Sequence, residues 1–198
     1  MLRENIEDRR KQKTRKALHE ALISLLFEKN YDAILIQDIL DCANVGRSTF
    51  YTHFRDKDEL LKEGFQGLRE LLRNAQMVTP ITPGKKYEKV ISFSPAMFEH
   101  VYSHKNIFLT QAGTPGWLTM SQHIEEILVQ LMKDEARALF KRKTSSEVPF
   151  ELFIHFLGAT FMSVLTWWLS FKRPLPPNEI NALFRELVIP ALAYHLEY

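Results

Sequence analysis

Residues 36–61, IQDILDCANVGRSTFYTHFRDKDELL, limit what this chain can fold into more than any other stretch. Apolar side chains recur at helical spacing at its start and predict a short amphipathic helix: Ile36, Ile39, Leu40 and Ala43. Asn44 and Gly46 both tolerate positive φ, so they predict a tight turn after that helix. A second short helix is expected from Arg47 to about residue 54. Two short helices around a tight turn predict a helix-turn-helix.

The outward positions of the second helix carry hydrogen-bond donors and no acid: Arg47, Ser48, Thr49, Tyr51, Thr52 and His53. Phe50 and Phe54 lie one turn apart and are expected to form its buried face. A corner that only packs against the rest of a protein gains nothing from an outer face of donors. We therefore predict that this helix enters the major groove of DNA.

A basic run precedes the helix-turn-helix. It has six positive and no negative charges within residues 9–16: Arg9, Arg10, Lys11, Lys13, Arg15 and Lys16. A solvated helix face is an equally good interpretation of such a run taken by itself. Directly ahead of a helix-turn-helix, the run favours an arm that contacts phosphates. An apolar stripe continues it and predicts one long helix over about residues 8–29.

The string TFYTHF, followed by KDELL, resembles the DNA-binding signature of the TetR/AcrR-like family of transcriptional regulators. The resemblance is specific over about residues 13–61 and architectural beyond them. It implies an all-α fold, with an N-terminal three-helix helix-turn-helix domain and a C-terminal helical domain for ligand binding and dimerisation. It also implies a one-component regulator, most often a repressor, that binds a near-palindromic double-stranded DNA operator as a homodimer and responds to a small-molecule effector.

The sequence departs from the family pattern at three positions. Asn44 replaces the usual Gly of the turn, Gly46 replaces a capping Ser, and Leu35 stands where a capping Thr is common. Gly is a weaker N-cap than Ser, and Leu offers no side-chain oxygen, so both helices are expected to start without a side-chain cap. The donor face remains, although the DNA sequence that it reads is expected to be this protein's own.

We expect the following side chains to contact DNA: Thr14, Arg15, Arg47, Ser48, Thr49, Tyr51, Thr52, His53 and Lys57. Arg47 is expected to reach a base, since arginine binds guanine in a bidentate manner. Thr49 and Thr52 suit a base edge or a thymine methyl group. The resemblance implies phosphate contacts for Tyr51, His53 and Lys57.

The rest of the chain divides at residues 78–86, VTPITPGKK, where two Pro and one Gly predict a linker. We predict a DNA-binding domain over residues 1–55, a connecting helix over 56–77 and an effector-binding and dimerisation domain over 78–198. Asp56 and Glu59 form a capping pair for the connecting helix, which is expected to end near residue 76. Three more N-caps are expected in the larger domain: Ser94, Thr119 and Asn178.

Residues 147–172 are apolar enough for a membrane span, but they include Glu151 and His155 and no second span accompanies them. We interpret them as a helix buried on all sides, partly by a second subunit, and expect no membrane association. Together with the last helix they are expected to form a dimer interface through Phe153, Leu157, Phe161, Trp168, Leu183 and Leu187. The resemblance supplies this arrangement.

Many aromatic side chains follow residue 90. They suit a hydrophobic core and, collectively, a pocket for an apolar or aromatic effector, for which the candidates are Met97, Phe98, Tyr102, Phe108, Trp117, Met120, His123, His155, Phe161 and Met162. His100 and His104 have the spacing of two metal ligands, but no Asp or Cys supports them, so we predict no metal site.

No catalytic set is present: there is no glycine-rich phosphate loop, nucleophile elbow or supported acid pair. We predict a protein that is not an enzyme and needs no cofactor. Cys42 is the only cysteine and the N-terminus is charged, so we expect a cytoplasmic protein in which Cys42 is packed. Two alternatives remain open: a coactivator of this fold that acts through protein partners, and a ligand-processing enzyme domain.

Overall fold

The computed structural model describes residues 2–140, 148–171 and 175–197. Within these ranges the chain forms only helices and loops, as the predicted all-α fold requires. The α-helices are α1 (Leu2–Glu28), α2 (Ile36–Ala43), α3 (Arg47–His53), α4 (Lys57–Gly64), α5 (Gln66–Val78), α6 (Ser94–Ser103), α7 (Lys105–Gln111), α8 (Pro115–Leu139), α9 (Phe150–Leu169) and α10 (Pro177–Glu197). Short 3₁₀ helices span Tyr31–Ala33 and Lys86–Ile91.

The apolar side chains bury themselves in two cores. The smaller core is built mainly from side chains of helices α1 through α4, and the larger core from side chains of helices α5 through α10. Leu60 and Leu61 of α4, which the sequence analysis places in the connecting helix, are buried in the smaller core. Phe65 packs against both cores and therefore lies at the junction between the N-terminal head and the C-terminal body. The domain boundaries after residues 55 and 77 stay a prediction.

The predicted connecting helix over 56–76 is interrupted at Phe65, whose φ of −73° and ψ of −6° end α4 and start α5. Gly64 and Gly67 flank the break, and glycine weakens a helix interior. Gly64 also lies where α4 passes close to α1, since a Cβ added there would be 3.3 Å from His19 Nδ1. The Asp56 cap is confirmed: its carboxylate accepts the Glu59 N–H at 2.8 Å.

The three other predicted N-caps are wrong. Helix α8 begins one turn before Thr119, because the Thr114 hydroxyl accepts the Trp117 N–H at 3.2 Å and Pro115 takes the first helical position. Ser94 lies inside α6, where its hydroxyl donates to Asn181 of α10 at 2.7 Å. Asn178 lies inside α10, because the Pro176 carbonyl already accepts from residues 179 and 180.

Helix α9 is long and apolar enough to cross a membrane by composition, yet half of its most apolar window is buried inside the protein. Four of the side chains predicted for the dimer interface lie within this protomer's own core: Phe153, Leu157, Phe161 and Trp168. Each is at most 4% exposed, so none has surface left to offer a second subunit, and their prediction is wrong. Leu183 and Leu187 are exposed by 41% and 62%.

The predicted effector residues do not gather around one space. Met97, Phe98 and Phe161 are fully buried and Met162 nearly so, all within the larger core. The Phe98 and Phe161 rings pack with centroids 4.9 Å apart, which fills the region where the sequence predicts a pocket. The other candidates are dispersed: Tyr102 and His155 are exposed, Trp117 packs on Phe108, and His123 faces Phe65.

A buried glutamine of the body holds the end of α1. Gln111 has no exposed surface. Its Nε2 donates to the Leu26 and Lys29 carbonyls at 3.0 and 3.1 Å, and its Oε1 accepts the Tyr31 N–H at 2.7 Å. These three backbone groups close the C-terminal end of α1, which has no further helical partners for them. Gln111 therefore ties the orientation of the head to α7 of the body.

We expect Gln111→Leu to lower the free energy of unfolding by at least about 2 kcal/mol, because a side chain of similar size would leave three buried backbone groups unpaired. Urea denaturation of the purified protein measures this change. Gln122→Leu is the matched control, since Gln122 is exposed on α8, and it should change stability by less than about 0.5 kcal/mol. Equal stability of the two variants would contradict the role given to Gln111.

Candidate nucleic-acid interface

The turn between α2 and α3 has the predicted left-handed residue. Asn44 adopts φ 50° and ψ 49°, and it is the only non-glycine residue with positive φ in the described chain. Its N–H reaches back to the Leu40 and Asp41 carbonyls and closes α2. Gly46 caps α3 without a side-chain hydrogen bond, as its sequence predicts. The chain therefore makes the sharp reversal that places α3 across α2.

Helix α2 starts without a side-chain cap at Leu35, as predicted. The carboxylate of Asp38 accepts the N–H of Leu35 at 2.7 Å, which is the other, reciprocal bond of a capping box. Lys29 Nζ donates to the same carboxylate at 2.7 Å and, with the Leu35 N–H, lowers the pKa of Asp38. This ion pair also fixes the end of α1 to the start of α2. This pairing of Asp38 was not among the predictions from sequence.

The buried face of α3 is as predicted. Phe50 and Phe54 are 0% and 2% exposed, and their ring centroids lie 5.9 Å apart in the smaller core. Burying these two rings fixes the rotation of α3 about its axis. The donor residues between them are consequently turned away from the core.

Six donor side chains therefore lie on the outer side of α3. Arg47, Ser48, Tyr51 and Thr52 are exposed, while Thr49 and His53 are half-buried. The Thr52 hydroxyl donates to the Thr49 carbonyl at 2.6 Å, so its oxygen can still accept a hydrogen bond. Arg47 Nη2 lies 3.3 Å from Gln37 Oε1, a long hydrogen bond between two exposed side chains. The face can present a guanidinium and several hydroxyls to a groove.

The pKa of His53 depends on the burial and the charges around the end of α3. Partial burial is the main cause that lowers the pKa of this imidazole, and the positive charges of Arg15 and Lys11 on α1 lower it further. The ring is therefore neutral at pH 7 and contributes an N–H donor without a charge. Because Arg15 and Lys11 act on it, the end of α3 lies near the basic run of α1.

Three predicted phosphate contacts already have partners inside the protein. The Arg15 guanidinium forms two hydrogen bonds with Glu63, one of them 2.8 Å from Nε, and this pairing raises the pKa of Arg15 and lowers that of Glu63. The Thr14 hydroxyl donates to the Arg10 carbonyl at 3.0 Å. Lys57 Nζ donates to the Tyr31 and Ile34 carbonyls, both at 2.9 Å. Their roles in DNA binding stay predictions.

The fold adds two candidates that sequence analysis missed. Gln37 lies on the exposed side of α2, beside Arg47, and its amide also donates to Asp41 at 2.8 Å. Arg55 follows α3 with a side chain that is 86% exposed and lies 3.2 Å from Glu59. The outward position of Gln37 between the apolar positions of α2 was the available signal for it. Cys42 is exposed, so its predicted packing is wrong.

The titratable groups form no metal centre in the described chain, where three His, Cys, Asp or Glu side chains nowhere converge. His100 and His104 lie with their ring centroids 4.4 Å apart, but His104 Nδ1 is 2.9 Å from the His100 carbonyl. Since a carbonyl only accepts, that nitrogen must carry a proton. His104 therefore donates a hydrogen bond to the backbone of His100.

Two family models match this chain. The model described as bacterial regulatory proteins of the tetR family covers residues 18–63, which include the whole helix-turn-helix. The model described as a transcriptional regulator C-terminal region covers residues 88–190, slightly more than half of the chain. Among curated relatives, YxbF of Bacillus subtilis (strain 168), an uncharacterized HTH-type transcriptional regulator, is 24% identical over 187 residues. The match covers 91% of this chain and 46% of YxbF, so the chain spans about half the length of that relative.

Solved structures share the fold over nearly the whole chain. A TetR transcriptional regulator from Streptococcus agalactiae 2603V is 27% identical, with a TM-score of 0.67 over 92% of this chain and 97% of that one. A putative TetR-family regulator from Syntrophomonas wolfei str. Goettingen is 19% identical, with a TM-score of 0.69 over 92% and 96%. NalD, the secondary repressor of the MexAB-OprM multidrug efflux pump in Pseudomonas aeruginosa, is 18% identical, with a TM-score of 0.63 over 91% and 96%.

The donor face of α3, the left-handed turn before it and these two family matches agree. The chain therefore belongs to the TetR family of transcriptional regulators, which are DNA-binding transcription factors and not enzymes.

Proposed function

We propose that this protein is a cytoplasmic transcriptional repressor that binds a near-palindromic operator as a homodimer. The observation that carries the proposal is the exposed donor face of α3, with the basic run of α1 near its end. Helix α3 would lie in the major groove, and two heads would contact half-sites about one DNA turn, ~34 Å, apart. A repressor acts by occupying DNA, so such a surface is its minimal requirement.

The dimer would form through an apolar stripe on α9 and α10. Its exposed members recur every three to four residues or at multiples of a turn along each helix: Leu152, Phe156, Trp167, Leu183, Leu187 and Tyr194. Each of these is 41% to 65% exposed in the single chain. Two helices from each subunit would bury the stripe in a four-helix interface. We infer this from the stripe and from the family, whose members usually form dimers.

A small-molecule effector would favour one spacing of the two heads over another. A ligand changes that equilibrium only if it binds one arrangement more tightly. Two contacts that couple head and body support such control. Gln111 of α7 donates to the Leu26 carbonyl of α1, and the carboxylate of Asp32 accepts the Gly116 N–H at the start of α8. A Cβ at Gly116 would lie 2.8 Å from the Tyr31 Cβ, so head and body are in close contact there.

Salt dependence of DNA binding tests the proposal. If a dimer neutralises about ten phosphates, the log of its affinity for the DNA upstream of its own gene should fall with the log of salt at a slope near about −9. Lys13→Ala should make this slope shallower by about 2, because each dimer loses two phosphate contacts. Lys105→Ala removes the same charge from α7 of the body and should leave the slope unchanged.

Absent binding, or binding that ignores salt, would overturn the repressor proposal. The second candidate, a coactivator that works through protein partners, would then gain support, but none of the contacts described above favours it. A fall in expression of the neighbouring genes on deleting the chain would instead indicate an activator.

A further inference from the structure

A cavity of about 190 Å³ lies between the head and the body. Helices α1 and α4 form one wall, with Leu26 and Leu61 among the lining side chains. Helices α6, α7 and α8 form the opposite wall, with Ile107 and Met120 among them. Both Phe108 and Met120 were predicted to contact an effector, but the head side of this space was not foreseen. An engineered apolar cavity of about 150 Å³ holds benzene, so this one is large enough for a single ring with a substituent.

The lining is apolar except for three histidines, His19, His100 and His104. No lysine, arginine or carboxylate lines the cavity. His19 lies 3.3 Å from Glu63, which also pairs with Arg15, so the charge of that carboxylate is already compensated outside the cavity. A ligand with a net charge would lose its hydration without gaining a charged partner, which is costly. The walls therefore favour an uncharged ligand.

His100 supplies a polar anchor. Burial, together with the charge of His104, lowers the pKa of His100 to about 4, so the ring is neutral at pH 7. A neutral imidazole has one N–H donor and one nitrogen acceptor, the pair that a hydroxyl group can satisfy. His104 donates from Nδ1 to the His100 carbonyl, which leaves its Nε2 as an acceptor when the ring is neutral.

We propose that this cavity binds an uncharged, phenol-sized molecule with one hydroxyl group, held between head and body. The ring lies among the leucine, isoleucine, phenylalanine and methionine side chains, and the hydroxyl hydrogen-bonds to His100 of α6 and to His104, which follows that helix. Binding needs only this chain, whereas its effect on transcription rests on the proposed function. Because opposite walls belong to the DNA-binding head and to the body, the ligand holds the head in one orientation and changes operator affinity reciprocally.

Binding of 4-fluorophenol to the purified full-length chain, followed by ¹⁹F NMR titration, tests the site. Ile23→Trp places an indole at the mouth of the cavity and should weaken binding at least tenfold. Phe27→Trp is the matched control: it lies one turn along α1, is 45% exposed against 46% for Ile23, and does not line the cavity. It should change the affinity by less than twofold.

Two further measurements test the chemistry. His100→Phe should weaken 4-fluorophenol at least fivefold and change fluorobenzene less than twofold, because only the hydroxyl loses its partner. On the unmodified chain, 4-fluorobenzoate should bind at least tenfold more weakly than 4-fluorophenol. Binding of benzoate as tight as that of phenol, equal losses in the two tryptophan variants, or no saturable phenol binding at millimolar concentration would each overturn the site.

The proposed effect of the ligand on DNA binding is tested separately. At saturating 4-fluorophenol the operator affinity of the unmodified chain should change at least fivefold, and that of Ile23→Trp less than twofold. Saturable phenol binding with unchanged operator affinity would overturn the regulatory role of the cavity, while the cavity would stand as a binding site. Failure of the chain to bind any DNA, with phenol binding intact, would overturn the proposed repressor function and not the cavity.

Discussion

An Arg47→Ala variant should lose about 1–3 kcal/mol of binding free energy at each half-site of the operator while keeping its affinity for unrelated DNA nearly constant. The guanidinium is exposed at the first position of α3, and Gln37 is its hydrogen-bond partner at 3.3 Å. Because the side chain has no packing role, its removal should leave the urea midpoint of unfolding unchanged. The loss should therefore appear as lost discrimination between DNA sequences.

Selection of binding sites from a random duplex pool measures this discrimination directly. The unmodified chain should enrich a palindrome with a fixed guanine in each half-site, and the Arg47→Ala pool should show all four bases there. Arg73→Ala removes the same charge from an exposed position on α5 and should reproduce the unmodified profile. A flattened profile in both variants, or in neither, would show that Arg47 does not read a base.

The helix-turn-helix could be predicted because its signals are local. The spacing of Phe50 and Phe54, the tolerance of Asn44 for positive φ and the donor positions between them all act within two turns of chain. The same local logic predicts the missing side-chain cap at Leu35, which is confirmed. It does not predict that Asp38 binds both the Leu35 N–H and Lys29.

Contacts between distant residues were beyond sequence reasoning. Gln111 closes the end of α1 from more than eighty residues away, and no spacing rule connects it to Leu26 or Tyr31. The packing of Phe65 against both cores likewise brings together side chains that are distant along the chain. The cavity between head and body follows from these long-range contacts, which explains why the predicted effector residues were drawn largely from the body alone.

The dimer interface predicted on α9 was wrong because it used the face of that helix that points into the protomer's own core. Helix α9 is apolar on all sides, so its sequence does not reveal which face points inward. Successive residues point about 100° apart. Trp168 is 1% exposed and donates its indole N–H to the Leu175 carbonyl at 3.0 Å, while its neighbour Trp167 is 50% exposed. Tertiary packing decides between the two tryptophans, because Trp168 lies against the rings of Phe98 and Tyr102 on α6.

Trp167→Asp should therefore dissociate the proposed dimer. An isologous interface repeats every substitution, so one change places two carboxylates in the apolar stripe. Each costs several kcal/mol when buried without a partner, and about 4 kcal/mol in total already weakens a dimer about a thousandfold. The free energy of unfolding of the monomer should change little, because the side chain faces outward in the single chain.

Sedimentation velocity at micromolar concentration distinguishes the two states. Trp167→Asp should sediment as a monomer, whereas Leu118→Asp should remain dimeric, since Leu118 is equally apolar and 61% exposed but lies on α8, outside the stripe. The operator complex should be lost with the dimer, because a single head retains only half of the base and phosphate contacts and their summed free energy. A dimeric Trp167→Asp protein that still binds operator would place the subunit contact on another face, and the exposed stripe of α9 and α10 would then need a different partner.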